Sequence, residues 1–305
     1  MTPIPDEMPE REPFRDTPLG RFLQDFFSNP VAVIGLAGFL LVAFIAIFAP
    51  WIAPQDPYDL AQLDFMDGNM EPGAQAAAGF SFLLGSDDQG RDILSGIMYG
   101  LRTSLAIGAA SAFIALSIGA AIGLVSAWFG GRTDTVIMRL VEVQMSFPAV
   151  LIALVLLAIL GQGVEKIIIA LVLVQWAYYA RTIRGLALVE KNREYIDAAR
   201  CLRYSQTRII FGHLLPNCMP PLIVIVTMQV AHAIALEATL SFLGIGVPIT
   251  EPSLGLLISN GFHYMQSGRY WLSFFPGLAL LFTIVSINLV GDHLRDILNP
   301  RTRAQ

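Results

Sequence analysis

The side chains that most often do chemistry are few in this sequence, and their spacing matches no common active site. No Gly-Lys pair occurs, so a phosphate-binding P-loop is excluded. The patterns His-Glu-x-x-His, Cys-x-x-Cys and Gly-x-Ser-x-Gly are also absent. The histidines are scattered, and Cys201 and Cys218 are expected to be free thiols. We therefore predict no catalytic residue and no metal site, so the energy for any work comes from a gradient or from another subunit.

Two carboxylates lie nearest to the interior of long uncharged segments, where ionisable groups usually have a function. Glu142 follows Arg139 by three positions, and a local ion pair accounts for it. Glu237 has no basic residue within one helical turn. Two interpretations stay open for it: Glu237 and the nearby Ser241 line a translocation pathway, or the carboxyl group is hydrogen-bonded in the packed interior.

A long loop at residues 53–101 carries eight acidic side chains and a single arginine, Arg91. It lacks the alternating ligands and the downstream Glu of a calcium loop, so a solvated acidic face is the favoured interpretation. In its last part, apolar residues at helical spacing predict an amphipathic helix at the membrane interface, leading into the next span. These residues are Ile93, Leu94, Ile97, Met98 and Leu101.

A second polar segment, residues 181–216, has seven basic and three acidic side chains. Within it, Tyr195, Ala198, Ala199 and Leu202 form the apolar face of a short helix. A helix this amphipathic needs a surface on which to bury that face. From periodicity alone, lipid headgroups and a partner protein fit the face equally well.

Composition decides the environment of these segments. The chain is 55% hydrophobic and 14% charged, with a mean hydropathy of +0.61, whereas soluble domains average about 25% charged residues. A soluble enzyme and a disordered scaffold are therefore excluded. The net charge of −5 offers no basic field, so no nucleic-acid partner is expected. We predict an all-α polytopic membrane protein in contact with lipid.

Uncharged runs long enough to cross a hydrocarbon core predict the spans. The runs are solid rather than alternating, which indicates helices and not a β-barrel. The shorter run 167–180 is included because Lys166 and Arg181 can snorkel at its ends. Pro148 and Pro276 are expected to kink their helices. The six predicted transmembrane helices are 31–52, 102–128, 138–160, 166–186, 219–244 and 271–291.

The positive charges set the orientation, because 15 of the 19 Lys and Arg residues fall on the side of the N-terminus, which is therefore cytoplasmic. The tails 1–30 and 293–305 and the loop 187–218 are placed inside, and 53–101 outside. Three tryptophans are predicted to lie at the interface: Trp51, Trp128 and Trp271. Small residues at every fourth position of the second span predict close packing of another helix. They are Ser111, Ala115, Gly119, Gly123 and Ala127.

The segment 194–217 reads EYIDAARCLRYSQTRIIFGHLLPN and resembles the "EAA" loop of binding-protein-dependent ABC importer permeases. Asp197, Ala198 and Ala199 stand at the E-A-A positions, and a Leu-Pro pair closes the motif. Arg203 stands where the pattern usually has glycine. Whether the turn that glycine favours forms there is an open question.

Further segments resemble the peptide/nickel branch of this family, and their order and spacing match along residues 31–300. They are LGSDDQGRDILSGIMYGLRTSL (84–105), MRLVEVQMSFP (138–148), LEATLSFLGIG (236–246), EPSLGLLI (251–258), FPG (275–277) and GDHLRDILNP (291–300). The pattern is most like that of the second permease subunit of dipeptide and oligopeptide importers.

The resemblance implies a type I ABC importer of the bacterial cytoplasmic membrane, with residues 102–292 as its core. This chain and a second, related permease would form the pathway. Two cytoplasmic ATPases would bind ATP and magnesium, this chain would bind no cofactor, and a periplasmic or lipid-anchored binding protein would deliver solute. The segment 194–202 would be a coupling helix seated in a cleft of the ATPase. The coupling residues so implied are Glu194, Tyr195, Asp197, Ala198, Ala199, Arg200 and Leu202.

Two alternatives to a peptide importer stay open at this point. Nickel or a metal chelate is the alternative cargo, because nickel permeases share these signatures. A gradient-driven secondary transporter is the alternative class. It predicts inverted repeats and charge pairs within the spans, and the sequence shows neither a repeat nor a clear pair.

Overall fold

The structure, a computed structural model, describes residues 18–59, 61 and 63–298, and most of these residues are helical. The parts of the predicted tails at 1–17 and 299–305 lie outside the described residues. The helices are α1 (Pro18–Ser28), α2 (Pro30–Ile52), α3 (Ile93–Phe129), α4 (Gly131–Met145), α5 (Ala149–Leu160), α6 (Val164–Lys191), α7 (Glu194–Cys201), α8 (Gln206–Ile209), α9 (Leu215–Phe242), α10 (Leu254–Phe262) and α11 (Trp271–Leu298).

Most of the predicted spans are confirmed as helices long and apolar enough to cross a membrane. These are α2, α3, α6, α9 (with α8 and the turn before it) and α11. The short run 167–180 is the central part of α6, which extends beyond it at both ends. A helix pairs most of its backbone N–H and C=O groups internally, as lipid requires.

The predicted span 138–160 is not one kinked helix. It consists of α4 and α5, which meet at an angle of 89°. The α4 helix closes with Ser146 N–H donating to the Glu142 carbonyl at 3.0 Å. Pro148 then begins the new direction, because it has no N–H to continue the ladder and its ring disfavours helical backbone before it.

The predicted ridge of small residues on α3 is confirmed, since all five are buried. The ridge packs on α6 at backbone distance. A Cβ atom added at Gly119 would lie 2.5 Å from Cβ of Tyr179, and one at Gly123 would lie 2.5 Å from the Ala180 carbonyl oxygen. Any side chain at these positions would push the two helices apart, so α3 and α6 form one closely packed pair.

The expected amphipathic helix before the second span is the first part of α3, continuous with the span. Its apolar face packs against the protein itself. Ile93, Ile97 and Leu101 pack with Leu254 and Trp271 in a core cluster. Trp271, predicted to lie at the interface, is the first residue of α11, and its side chain is 6% exposed within that cluster.

The acidic loop is folded, and a solvated acidic face is the wrong description of its best-buried carboxylates. Asp67 and Asp92 are 7% and 1% exposed. Asp67 accepts the backbone N–H of Ala77, and Asp92 accepts that of Ser95 at 2.8 Å. Asp87 accepts two backbone N–H groups. Burial raises the pKa of Asp87 and Asp92 above its usual value, against the effect of these bonds.

Two short helical segments occupy positions where the sequence predicted loops. The α8 helix continues through a π turn at Ile210–Leu214 into α9, which therefore begins before the predicted residue 219. The α10 helix lies between α9 and α11, with Leu256 N–H donating to the Ser253 hydroxyl as its cap at 3.2 Å. Its nine residues are too few to cross a membrane.

Candidate functional site

The α7 helix lies at the end of α6 and is anchored to the chain by one face. Ile196 and Ala199 are 0% and 4% exposed. Both belong to a core cluster with Ile209, Leu214 and Cys218. Burial of this face holds α7 against the start of α9.

The opposite face of α7 is exposed, and we call Tyr195, Ala198 and Leu202 the α7 surface. Leu202 is 66% exposed, and Ala198 is also exposed. Ala199 does not belong to this surface, contrary to the grouping predicted from the sequence. Successive helical residues differ by about 100°, which turns Ala199 toward Ile196 and the core.

Tyr195 is held in place at the edge of this surface. Its hydroxyl donates to Oε2 of Glu190 at 2.8 Å. Burial, together with this hydrogen bond, raises the pKa of Tyr195 to about 12. The phenol therefore stays protonated and donating at neutral pH.

Charged residues at the two ends of α7 complement its dipole. Glu194 and Asp197 lie in the first turn, and Arg200 lies in the last. Arg200 and Asp197 form an ion pair at 3.0 Å with side chains 43% and 64% exposed. An exposed pair of this kind adds little stability, so both groups are open to other partners.

The turn after α7 contains Arg203, which stands where the family pattern usually has glycine. Arg203 has φ of 54°, the left-handed conformation that glycine favours. Its N–H donates to the Arg200 carbonyl at 2.9 Å, and the Tyr204 N–H donates to the Ala199 carbonyl at 3.2 Å. These two bonds form a Schellman motif, so the turn forms although an arginine occupies it.

Stacked side chains hold Tyr204, the residue that follows this turn, in place. The Tyr204 ring lies 4.1 Å from the guanidinium carbon of Arg208. The ring also stacks on His213, with centroids 5.8 Å apart and planes 12° apart. The end of α7 is thereby joined to α8 and to the π turn.

Trp128, which the sequence placed only at an interface, connects α7 to two long helices. Lys191 Nζ donates to the carbonyls of Ala127 and Trp128 at 2.9 and 2.6 Å, closing the end of α3. The Trp128 ring lies 5.6 Å from Lys191 Nζ and 5.4 Å from the Arg200 guanidinium carbon. Its indole N–H donates to Gln206 of α8. Sequence spacing gave no signal for these contacts between distant segments.

A second connection at the same end joins α4 to α6. Arg184 donates two hydrogen bonds to Asp134, one of them from Nη2 to Oδ2 at 2.6 Å. Asp134 lies in the first turn of α4, next to the end of α3. The ends of α3, α4, α6 and α7 are therefore linked to one another by polar contacts.

Glu237 and Ser241 lie together in the interior, 0% and 1% exposed. The Ser241 hydroxyl donates to Oε1 of Glu237 at 2.7 Å, and the Ser104 hydroxyl donates to Oε2 at 2.8 Å. Ser253 is a further partner of the carboxyl group. Full burial with these partners favours the packing interpretation over a pathway role.

The Glu237 cluster, which we define as Glu237, Ser104, Ser241 and Ser253, joins three segments that the sequence analysis had singled out separately. Ser104 comes from 84–105, Glu237 from LEATLSFLGIG and Ser253 from EPSLGLLI. Gly255 of α10 packs so closely that an added Cβ would overlap the backbone of Ala238. The cluster thus fixes α10 against α3 and α9.

Two family models of membrane transport proteins match this chain. The family model "Binding-protein-dependent transport system inner membrane component" matches residues 118–304. The model "N-terminal TM domain of oligopeptide transport permease C" matches residues 17–72.

Several curated relatives match along nearly the whole chain. The di/tripeptide transport system permease protein DppC of Pseudomonas aeruginosa is 38% identical over 94% of this chain and 93% of that protein. The dipeptide transport system permease protein DppC of Escherichia coli K12 is 40% identical over 94% of both chains.

A solved structure has the same fold. A chain of the MetNI methionine ABC transporter, in an inward-facing crystal form, superposes with a TM-score of 0.56 at 18% identity, over 67% of this chain and 97% of that chain. The type I ABC importer permease fold expected from the sequence is therefore confirmed. The extent of the family match and of the curated relatives shows that this chain belongs to the binding-protein-dependent transport system inner membrane components.

Proposed function

We propose that this chain is a permease subunit of an ATP-driven importer of dipeptides and oligopeptides. The relatives that match 94% of this chain carry the names of dipeptide and di/tripeptide permeases, which favours peptides over metal chelates. The observation that carries the proposal is the α7 helix, anchored by Ile196 and Ala199 and exposed at Ala198 and Leu202. A short helix with one free apolar face suits a cleft in a partner protein.

The proposal includes partners that supply what this chain lacks. A second, related permease completes the pathway. Two cytoplasmic ATPases bind ATP and magnesium and seat one coupling helix each, and a periplasmic or lipid-anchored binding protein delivers the peptide. The chain itself catalyses no reaction and binds no nucleotide. It crosses the bacterial cytoplasmic membrane several times, with both termini in the cytoplasm.

The mechanism is mechanical transmission through the contacts of α7. Movement of the ATPases displaces α7, and the core around Ile196 transfers that displacement to α9. Trp128 transfers it to α3, which is packed on α6 along Gly119 and Gly123. Helices packed this closely move as a unit, which is how a small displacement switches the side to which a pathway opens.

Reconstitution tests the proposed class and cargo. The purified complex is placed in proteoliposomes with its binding protein, and uptake of labelled dialanine is measured with and without ATP. We expect uptake that requires both ATP and the ATPase subunits. Uptake by this chain alone down an ion gradient would show a secondary transporter, and uptake of nickel without dialanine would show a metal importer.

A substitution on the α7 surface tests the coupling role. Ala198→Glu places a carboxylate where the helix would be buried in the ATPase cleft. We expect dialanine uptake at least about tenfold lower, with unchanged abundance in the membrane, because an unpaired buried charge costs well over the roughly 1.4 kcal/mol of a tenfold change. Ala198→Ser is the matched control and should retain uptake. Wild-type uptake by Ala198→Glu would contradict the coupling role.

A further inference from the structure

A cavity of about 420 Å³, lined by both apolar and polar side chains, lies at the break between α4 and α5. Helices α6 and α9 form its other walls. Its polar lining consists of Gln144, Gln175, Tyr178, Gln229 and His232. The α6 and α9 residues lie near the middle of their helices, so the cavity lies at mid-depth of the spans. Non-helical backbone at this depth of a membrane is tolerated where it lines such a cavity.

Gln175 is the unusual member of this lining. Its side chain is 2% exposed, and both Oε1 and Nε2 lack a hydrogen-bond partner. Buried polar atoms are almost always paired, because an unpaired one loses its bonds to water and gains none in return. The amide keeps a donor and an acceptor unpaired next to a cavity, and rotation of the side chain toward that cavity would present both to a ligand.

The wall that carries Gln175 is held rigidly. Nε2 of Gln144, at the end of α4, donates to the carbonyls of Leu173 and Val174 at 2.5 and 3.1 Å. These carbonyls immediately precede Gln175 on α6. The helix break and the α6 backbone that carries Gln175 are therefore fixed relative to each other, which reduces the ordering cost of binding.

We propose that this cavity is a transient binding site for the peptide backbone during translocation, with Gln175 as its main contact. A primary amide offers one acceptor and two donors, which complement the N–H and C=O of a single peptide unit. Such recognition ignores side chains, as a permease for varied peptides requires. The inference rests on the proposed function and deepens it.

The size and charge of the cavity fit the same ligand. Its volume lies within the range of sites for small molecules. The polar side chains that line it are three amides, a phenol and an imidazole, with no carboxylate among them. Amide and hydroxyl groups bind a peptide bond weakly enough for release, and a site within a pathway must release what it binds.

The test compares two substitutions on α6 in the reconstituted complex, with dialanine as the probe. Gln175→Leu removes both unpaired polar atoms at similar volume. Tyr179→Phe is the matched control, because the Tyr179 hydroxyl is also buried and unpartnered but does not line this cavity. The thermal stability of the complex is measured beside the maximal uptake rate and the half-saturating concentration.

We expect both variants to be at least as stable as the wild type. Gln175→Leu should lower the maximal uptake rate about tenfold, the loss expected for one hydrogen bond to the peptide. Its half-saturating concentration should not change, because the binding protein sets that value. Tyr179→Phe should leave uptake unchanged.

Three results would overturn the inference. They are wild-type uptake by Gln175→Leu, equal losses of uptake in both variants, and a drop in stability with Gln175→Leu, which would show that a partner chain pairs the amide structurally. If the wild-type complex itself does not import dialanine, the proposed function fails, and the inference fails with it. That result differs from a failure confined to the variant.

Discussion

The α7 helix and the Glu237 cluster are both rich in polar groups but arrange them in opposite ways. In α7, apolar Ile196 and Ala199 face the core, and the charged Asp197 and Arg200 face outward, 64% and 43% exposed. In the Glu237 cluster, the carboxyl group is fully buried and accepts hydrogen bonds from serine hydroxyls. The α7 helix therefore keeps an exposed surface, whereas the Glu237 carboxyl group is completely covered.

The α7 surface is therefore available for binding, whereas the Glu237 cluster holds helices in fixed positions. Exposed groups contribute little to stability, so substitutions on the α7 surface should affect partners more than folding. A buried polar network is stable only when every member is paired, so the loss of one member affects the fold itself. A substitution in each region therefore tests the contrast directly.

The largest effect on stability is expected in the Glu237 cluster. Glu237→Leu leaves the hydroxyls of Ser104 and Ser241 buried without their acceptor. We expect a loss of about 2–4 kcal/mol in the free energy of unfolding, since each unpaired buried donor costs roughly 1–3 kcal/mol. The measurement is unfolding of the detergent-solubilised complex, together with abundance in the membrane.

A second substitution makes this prediction specific. Ser241→Ala added to Glu237→Leu removes one of the orphaned hydroxyls, so part of the lost stability should return. If the stability losses of the two single substitutions simply added, Glu237 and Ser241 would not act as a hydrogen-bonded pair. The description of a fully paired buried network would then be wrong.

The smallest effect is expected at the turn that ends α7. Arg203→Gly relieves the strain of a left-handed arginine and should stabilise the turn by about 0.5–1 kcal/mol, after the entropy cost of glycine is deducted. Hydrogen exchange of residues 194–204 should slow by about two- to fivefold. Ala198→Gly, in the same helix but in ordinary helical conformation, is the control and should speed exchange. Equal effects of both glycines would refute the assignment of strain to Arg203.

Hydrophobic length predicted the spans well, because lipid imposes one requirement on every spanning segment. It failed at 138–160, where an uncharged run concealed a turn at Pro148 between two helices. It also failed for the first part of α3. The sequence showed an apolar stripe containing Ile93 and Leu101, but not that α10 and α11 would cover it.

The candidate site was predicted as a segment but not as a set of contacts. Within the predicted segment 194–202, Glu194–Cys201 form a helix, and one of its faces is exposed. Ala199 was assigned to the wrong face because the sequence does not show where the core lies. The contacts of Trp128 and the unpaired amide of Gln175 depend on residues far apart along the chain, and no local spacing reports them.

The seating of α7 in an ATPase is tested most directly by the reactivity of a natural thiol. Cys201, the last residue of α7, is exposed, whereas Cys218 is 1% exposed and shielded. The rate at which a bulky maleimide alkylates Cys201 is measured in membranes with and without the ATPase subunits. We expect alkylation at least about tenfold slower in the assembled complex, equivalent to burial in more than nine complexes out of ten. Equal rates in a complex that imports dialanine would contradict the account.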